Sequence, residues 1–206
     1  MQVQSDSIYA HTRKKKRLST GTKALVGILV FALIAGVSYL AASSSPGPSN
    51  SGQSQYPNNV AGTFYSNPTV TSDGTKATIP YSFADEKKLE FLDLKLQNPT
   101  SEIVYKGRTI PLGAYKQGGY LPLVVVVTPL QKVVSGIRVC EPCGSFSFHV
   151  VEAKYLQCDL CGTRWDIETF AGVSGGCPNF PPPKVDSSAA TDIEVDLSSV
   201  GLTLAA

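Results

Sequence analysis

Two Cys-x-x-Cys pairs, Cys140/Cys143 and Cys158/Cys161, are separated by fourteen residues in a chain of 206. Four thiolates converging from two short loops form a soft, tetrahedral donor set, suited to zinc, a single iron or an iron–sulfur cluster. A glycine follows each pair directly, Gly144 and Gly162. Glycine permits a tight turn, through which backbone N–H groups can point back at sulfur. Val133–Val139 reads as a strand delivering the first loop and Lys154–Gln157 as one delivering the second. The segment between them, GSFSFHVVEAKYLQ, has the length of one hairpin, which would set the two loops side by side.

Charge and hydropathy place the pairs outside a membrane. Residues 1–23 hold six of the 18 basic residues and one of the 16 acids, a local charge of +5. The remaining 12 basic and 15 acidic residues give −3, a mildly acidic body that argues against nucleic acid as a partner. Ala24–Ala42 is nineteen uncharged residues, reaching about 28 Å as a helix, enough for a hydrocarbon core of roughly 30 Å. Positive flanks stay cytoplasmic, so the expected topology is a single pass at the cell membrane with the N-terminus inside and the rest extracytoplasmic. A cleaved secretory signal ending near Ala41-Ala42 is the competing reading, and its apolar core would exceed the usual 7–15 residues. Residues 43–59, uncharged and rich in Ser, Gly and Pro, read as a flexible linker. The domain order is therefore a basic tail (1–23), a transmembrane helix (24–42), the linker (43–59) and an extracytoplasmic domain (60–206).

Export also opens a disulfide reading, because oxidising compartments let disulfides persist. Five cysteines fit paired disulfides poorly, and a bond inside a Cys-x-x-Cys is reactive rather than structural. The odd residue, Cys177, is a candidate fifth ligand, a resolving thiol or a buried small residue.

From Val60 onward helical periodicity is missing. Leu92-Asp93-Leu94-Lys95-Leu96 alternates as a half-buried strand should, and so do Phe146, Phe148, Val150 and Ile193, Val195, Leu197. Leu121–Val127 is a continuous apolar run, which fits a strand buried on both faces. Further strands are expected at 75–82, 103–112, 133–139, 154–158 and 163–169. Eight or more short strands predict an all-β sandwich or barrel, whose unpaired edges would permit lateral self-assembly.

Cys161-Gly162-Thr163-Arg164-Trp165-Asp166, followed by Gly175-Gly176 and the prolines 181–183, resembles the second cluster loop of Rieske ferredoxins, with Cys161 where that family has histidine. The chain more closely resembles the FtrD-like membrane iron–sulfur family. The residues that carry this likeness are Arg138-Val139-Cys140-Glu141-Pro142-Cys143-Gly144, Cys158-Asp159-Leu160-Cys161-Gly162 and Gly175-Gly176-Cys177-Pro178-Asn179, with Ile79–Ala84 upstream. The likeness covers about residues 75–183, with the Pro178-Asn179 order reversed relative to the family. It implies a membrane-associated metal or cluster protein, found with iron transport and redox components, in which all five cysteines have counterparts. A Rieske-like β domain is the corresponding fold expectation.

Cys140, Cys143, Cys158 and Cys161 are therefore the expected ligands of an iron–sulfur cluster or a lone iron. The expected role is electron transfer or iron handling with a membrane redox or iron-transport partner, rather than bond-making catalysis. Two alternatives stay open: a structural zinc site in a β interaction module, and a thiol–disulfide redox protein. No nucleophile elbow, phosphate loop or dinucleotide fingerprint is present. Trp165 is expected to pack as a lid over the site with Tyr155, His149 to face solvent, and Glu141, Asp159 and Asp166 to be solvated loop carboxylates.

Overall fold

The computed structural model describes residues 56–205. The basic tail, the apolar stretch Ala24–Ala42 and most of the linker lie outside the described residues; among those described, no helix is long and apolar enough to cross a membrane. The elements run β1 (Asn59–Ala61), β2 (Thr63–Tyr65), β3 (Thr69–Val70), β4 (Lys76–Pro80), α1 (Tyr81–Lys87), β5 (Leu89–Lys95), β6 (Glu102–Tyr105) and β7 (Arg108–Pro111). They continue as β8 (Tyr120–Val127), β9 (Val133–Ile137), β10 (Phe148–Val151), β11 (Tyr155–Cys158), β12 (Arg164–Asp166), β13 (Gly172–Ser174), β14 (Lys184–Ala189) and β15 (Asp192–Asp196). The all-β expectation holds for this region.

An eight-stranded sheet has the order β2-β5-β8-β9-β14-β15-β4-β3, and a five-stranded sheet the order β1-β10-β11-β12-β13. Strand β8 explains why two apolar cores form. Its sequence YLPLVVVV is apolar at every inward position, and Leu121–Val127 are all buried. Side chains alternate across a strand, so Leu121, Leu123, Val125 and Val127 join one core with Leu92, Leu94, Ile79 and Val195. Val124 and Val126 join the other with Phe91, Phe148, Leu156, Trp165 and three of the cysteines. The five-stranded sheet covers that second face. At about 1.5–3 kcal/mol for each fully buried aliphatic side chain, β8 alone contributes on the order of 10 kcal/mol of gross burial to both layers.

Three expectations are corrected. The strand expected at 75–82 stops at Pro80, and α1 follows it. Seven residues are too few to print a helical period, and Lys88 at φ 64° ends the helix. The stretch 103–112 is a hairpin, β6 against β7, rather than one strand, because Lys106 and Gly107 both take positive φ and close a two-residue turn. The strand expected at 163–169 is limited to Arg164–Asp166, since Asp166 Oδ1 accepts the N–H groups of Glu168 and Thr169 and turns the chain. The alternation expected over Leu92–Leu96 holds, with the three leucines buried and Lys95 exposed, while Leu89–Phe91 at the start of β5 are buried on both faces.

Glu90 in β5 is fully buried opposite Val125, and neither carboxyl oxygen has a hydrogen-bond partner among the described residues. Burial raises its pKa from 4.5 to about 7. A carboxyl whose folded pKa is raised contributes fully below the unfolded value and loses that stability as pH climbs through the folded one. Urea unfolding should therefore lose about 3 kcal/mol between pH 4.5 and somewhat above 7. Glu90→Gln should flatten that slope, and an unchanged slope in the variant would refute the assignment.

Candidate metal centre

The hairpin β10–β11 pairs Phe148 with Cys158 and Val151 with Tyr155. It thus carries the exit of the first cysteine loop alongside the entry of the second, as the sequence spacing predicts. Each loop closes in the same way. Cys140 N–H donates to Ser145 O at 2.8 Å and Gly144 N–H returns to Cys140 O at 2.8 Å; Cys158 N–H donates to Thr163 O at 2.9 Å and Gly162 N–H returns to Cys158 O at 3.0 Å. Gly144 and Gly162 take φ of +70° and +68° with open space around them. Backbone conformation is therefore what requires glycine at both. Their N–H groups bond carbonyls rather than sulfur. The backbone of the next residues, Ser145 beside Cys143 and Thr163 beside Cys161, acts to lower the pKa of those thiols.

The four sulfurs of Cys140, Cys143, Cys158 and Cys161 all lie within 4.8 Å of one another. Cys140 Sγ is 3.8 Å from Cys161 Sγ, and Cys143 Sγ is 3.6 Å from Cys158 Sγ. A tetrahedral cage with metal–sulfur bonds of about 2.3 Å has edges of about 3.8 Å. The set therefore fits one four-coordinate ion as it stands; a two-iron cluster, which gives each iron two sulfurs, needs the pairs set further apart. All five cysteines are free. Cys177 is not one of the four. It is buried in the apolar core that also holds Cys140 and Cys158, under Trp165, Phe148 and Phe170.

The centre has an inner and an outer side. Cys140 and Cys158 are fully buried, while Cys143 and Cys161 are partly exposed. Burial pushes the Cys140 thiol well up, with hydrogen bonding to Cys143 and the charge of Cys158 adding to it. Burial likewise raises Cys143, to about 11. At Cys161 burial also acts upward, but hydrogen bonds from the Thr163 side chain and backbone outweigh it and bring the thiol to about 6. Thr163 thus favours ionisation of the outer sulfur of the second loop.

Several flanking residues depart from expectation. Glu141 is not a solvated carboxylate: its side chain is 11 % exposed and faces Arg108 of β7. Arg108 Nε donates to Glu141 Oε2 at 3.3 Å, and Nη2 lies 2.9 Å from Oε1, off the hydrogen-bond axis. The same guanidinium lies over the Phe180 ring at 5.9 Å, so it joins the hairpin, the first loop and the proline-rich segment. Asp159 is an exposed loop carboxylate, as expected, and lies between Ser147 Oγ and His149 Nδ1, while His149, partly open to solvent, is tied by it to the second loop. Trp165 packs in the core beside the cysteines and donates Nε1–H to Pro178 O at 3.2 Å. Tyr155 does not join that packing; it lies under Lys154 and Arg164 instead.

Arg138, two residues before Cys140, carries no sequence signal beyond that proximity. It is 2 % exposed, donates to Leu123 O, Phe146 O, Asp93 Oδ1 and Tyr115 OH, and lies 4.5 Å from the Phe91 centroid. Its reach to Phe146 O fixes the exit of the first loop to the large sheet.

Residues 108–203 match the family described as membrane iron-sulfur containing protein FtrD-like, the family that the cysteine pattern resembles. The match starts at Arg108, so Ile79–Ala84 lies outside it, and it runs past Lys184 to Thr203, beyond the motifs. No curated protein and no solved structure matches the chain, and no match supports the Rieske likeness.

Arg108→Gln leaves the mostly buried Glu141 carboxylate unpaired and should cost about 1–3 kcal/mol in denaturant unfolding. Adding Glu141→Gln should recover part of that loss. Strict additivity of the two changes would show that the pair is not coupled.

Proposed function

We propose that the region matching the FtrD-like family is a membrane-anchored, extracytoplasmic one-electron carrier, with iron held by Cys140, Cys143, Cys158 and Cys161. The observation that carries this reading is the gathering of four sulfurs from two matched loops within 4.8 Å. Bound by four thiolates, iron supplies a one-electron couple with no bond made or broken. The chain's own contribution is threefold. Cys140 and Cys158, sunk among Phe148, Leu156 and Trp165, keep water from the inner side. Cys143 and Cys161 carry sulfur density to the surface, where a partner can approach. The Arg108–Glu141 pair and the Arg138 contacts hold the first loop rigid, which limits reorganisation when charge changes.

The tip of the second loop exposes Leu160 at 68 %, and Phe180 beside Arg108 is 42 % exposed. Uncharged surface next to a partly exposed ligand suits brief docking with a membrane redox or iron-transport partner. The span Ala24–Ala42 and the linker that follows it would place the carrier beside such a partner.

One feature favours a second reading. A single tetrahedral cage accepts zinc as readily as iron, in which case the site stabilises the five-stranded sheet and carries no electron. Anaerobic purification of the full chain in detergent, followed by metal and sulfide analysis and absorption spectroscopy, separates the two. The expected result is one iron per chain without acid-labile sulfide, coloured, and bleached reversibly by one electron equivalent. A colourless, redox-inert protein with stoichiometric zinc would transfer the assignment to the structural reading.

A further inference from the structure

The two cysteine loops are near-copies, and the point at which they differ suggests a role for the glycine-rich turn that follows them. In the first loop the Ser145 hydroxyl turns away, donating to Ser147 O at 3.3 Å and accepting Ser147 N–H at 3.2 Å. In the second, the equivalent residue is Thr163, which is fully buried. Its Oγ1 lies 3.2 Å from Cys161 Sγ and accepts the Cys177 N–H at 3.0 Å.

A hydroxyl has one proton and two lone pairs. The Cys177 N–H occupies a lone pair, which leaves the proton to be directed elsewhere. While Cys161 is a thiol, its S–H can point at the oxygen. Once the sulfur is a metal-bound thiolate it has no proton, and only the hydroxyl can donate. The contact therefore becomes an O–H···S bond in the ligated state, the kind of outer contact that tunes a thiolate site.

The turn is built to make this contact. Gly175 takes φ +103°, and a Cβ there would come within 2.5 Å of Thr163 Cα and 2.6 Å of Thr163 Oγ1. Glycine at 175 is what allows the Gly175-Gly176-Cys177 segment to close over Thr163 and deliver the Cys177 N–H.

We propose that Thr163 is a positioning residue of the metal centre: held by the Cys177 N–H, its hydroxyl donates to the Cys161 thiolate, so the Gly-Gly-Cys turn serves the metal through a hydrogen bond rather than through the Cys177 sulfur. The proposal rests on Cys161 being a ligand, as in the reading above. Withdrawing density from one sulfur favours the reduced state, and holding that sulfur in its ligating position strengthens retention of the ion.

The test uses the full chain in detergent with cobalt(II) as the probe, and iron where a potential is read. Thr163→Val removes the hydroxyl at nearly constant shape, Thr163→Ser keeps it, and Cys177→Ala keeps the N–H while deleting the sulfur. All three should bind one cobalt. Thr163→Val should bind about tenfold more weakly, move the sulfur-to-cobalt band to lower energy and make the iron potential more negative. Thr163→Ser and Cys177→Ala should match the parent chain in all three. A Thr163→Val protein identical to the parent overturns the proposal. So does a Cys177→Ala protein that loses the ion or the band, and that arm stands even if the valine variant does not fold. Stoichiometric cobalt in Cys140→Ser/Cys158→Ser would instead defeat the four-cysteine reading, so the two failures are distinct.

Discussion

Four ionisable sulfurs within 4.8 Å cannot all carry charge unless a cation lies among them. Two of the four, Cys140 and Cys158, are closed off from water, and at Cys140 burial raises the cost of ionising the thiol alone. A bound cation inverts that logic, because it deprotonates its thiols and the same low dielectric then strengthens the attraction. The rest of the domain can be understood as the apparatus that brings these sulfurs together. The β10–β11 hairpin sets the spacing, the glycines at 144 and 162 close the loops, and Arg138 with Arg108 pins the first loop to structure outside the five-stranded sheet.

Strand β8 links that apparatus to the stability of the whole region. One of its faces completes a core made with β4, β5 and β15; the other forms the floor of the core that contains the cysteines. Loading or stripping the ion therefore acts on a layer that shares its central strand with the other core. Metal binding should be coupled to folding of the five-stranded sheet first, and to the larger sheet through Leu89, Phe91, Val124, Val126 and Val134, which share the core of the cysteines.

The site was more legible from sequence than the fold around it. Cysteine spacing is a short-range code: fourteen residues with alternating apolar positions make a hairpin, and the hairpin aligns the loops. What stayed hidden depends on contacts distant in sequence. Nothing near Glu141 announces Arg108, thirty-three positions upstream, so a carboxylate in a loop looked solvated. The surroundings of Tyr155 are set by Arg164 standing across from Gln157, a pairing that its own strand does not announce. The hairpin at 103–112 leaves no clear sequence mark because Lys106-Gly107 is not one of the usual turn pairs, and α1 leaves none because seven residues hold under two helical turns. Thr163 was visible as a letter beside Cys161-Gly162, but its importance comes from the turn at 175–177 that closes over it.

The central claim, one ion inside a cage of four cysteine sulfurs, is tested most directly by X-ray absorption at the metal edge of the purified chain. The account predicts four sulfur neighbours at about 2.3 Å, no nitrogen or oxygen ligand and no short metal–metal distance. Fewer than four sulfurs, or a lighter atom in the first coordination sphere, would contradict it.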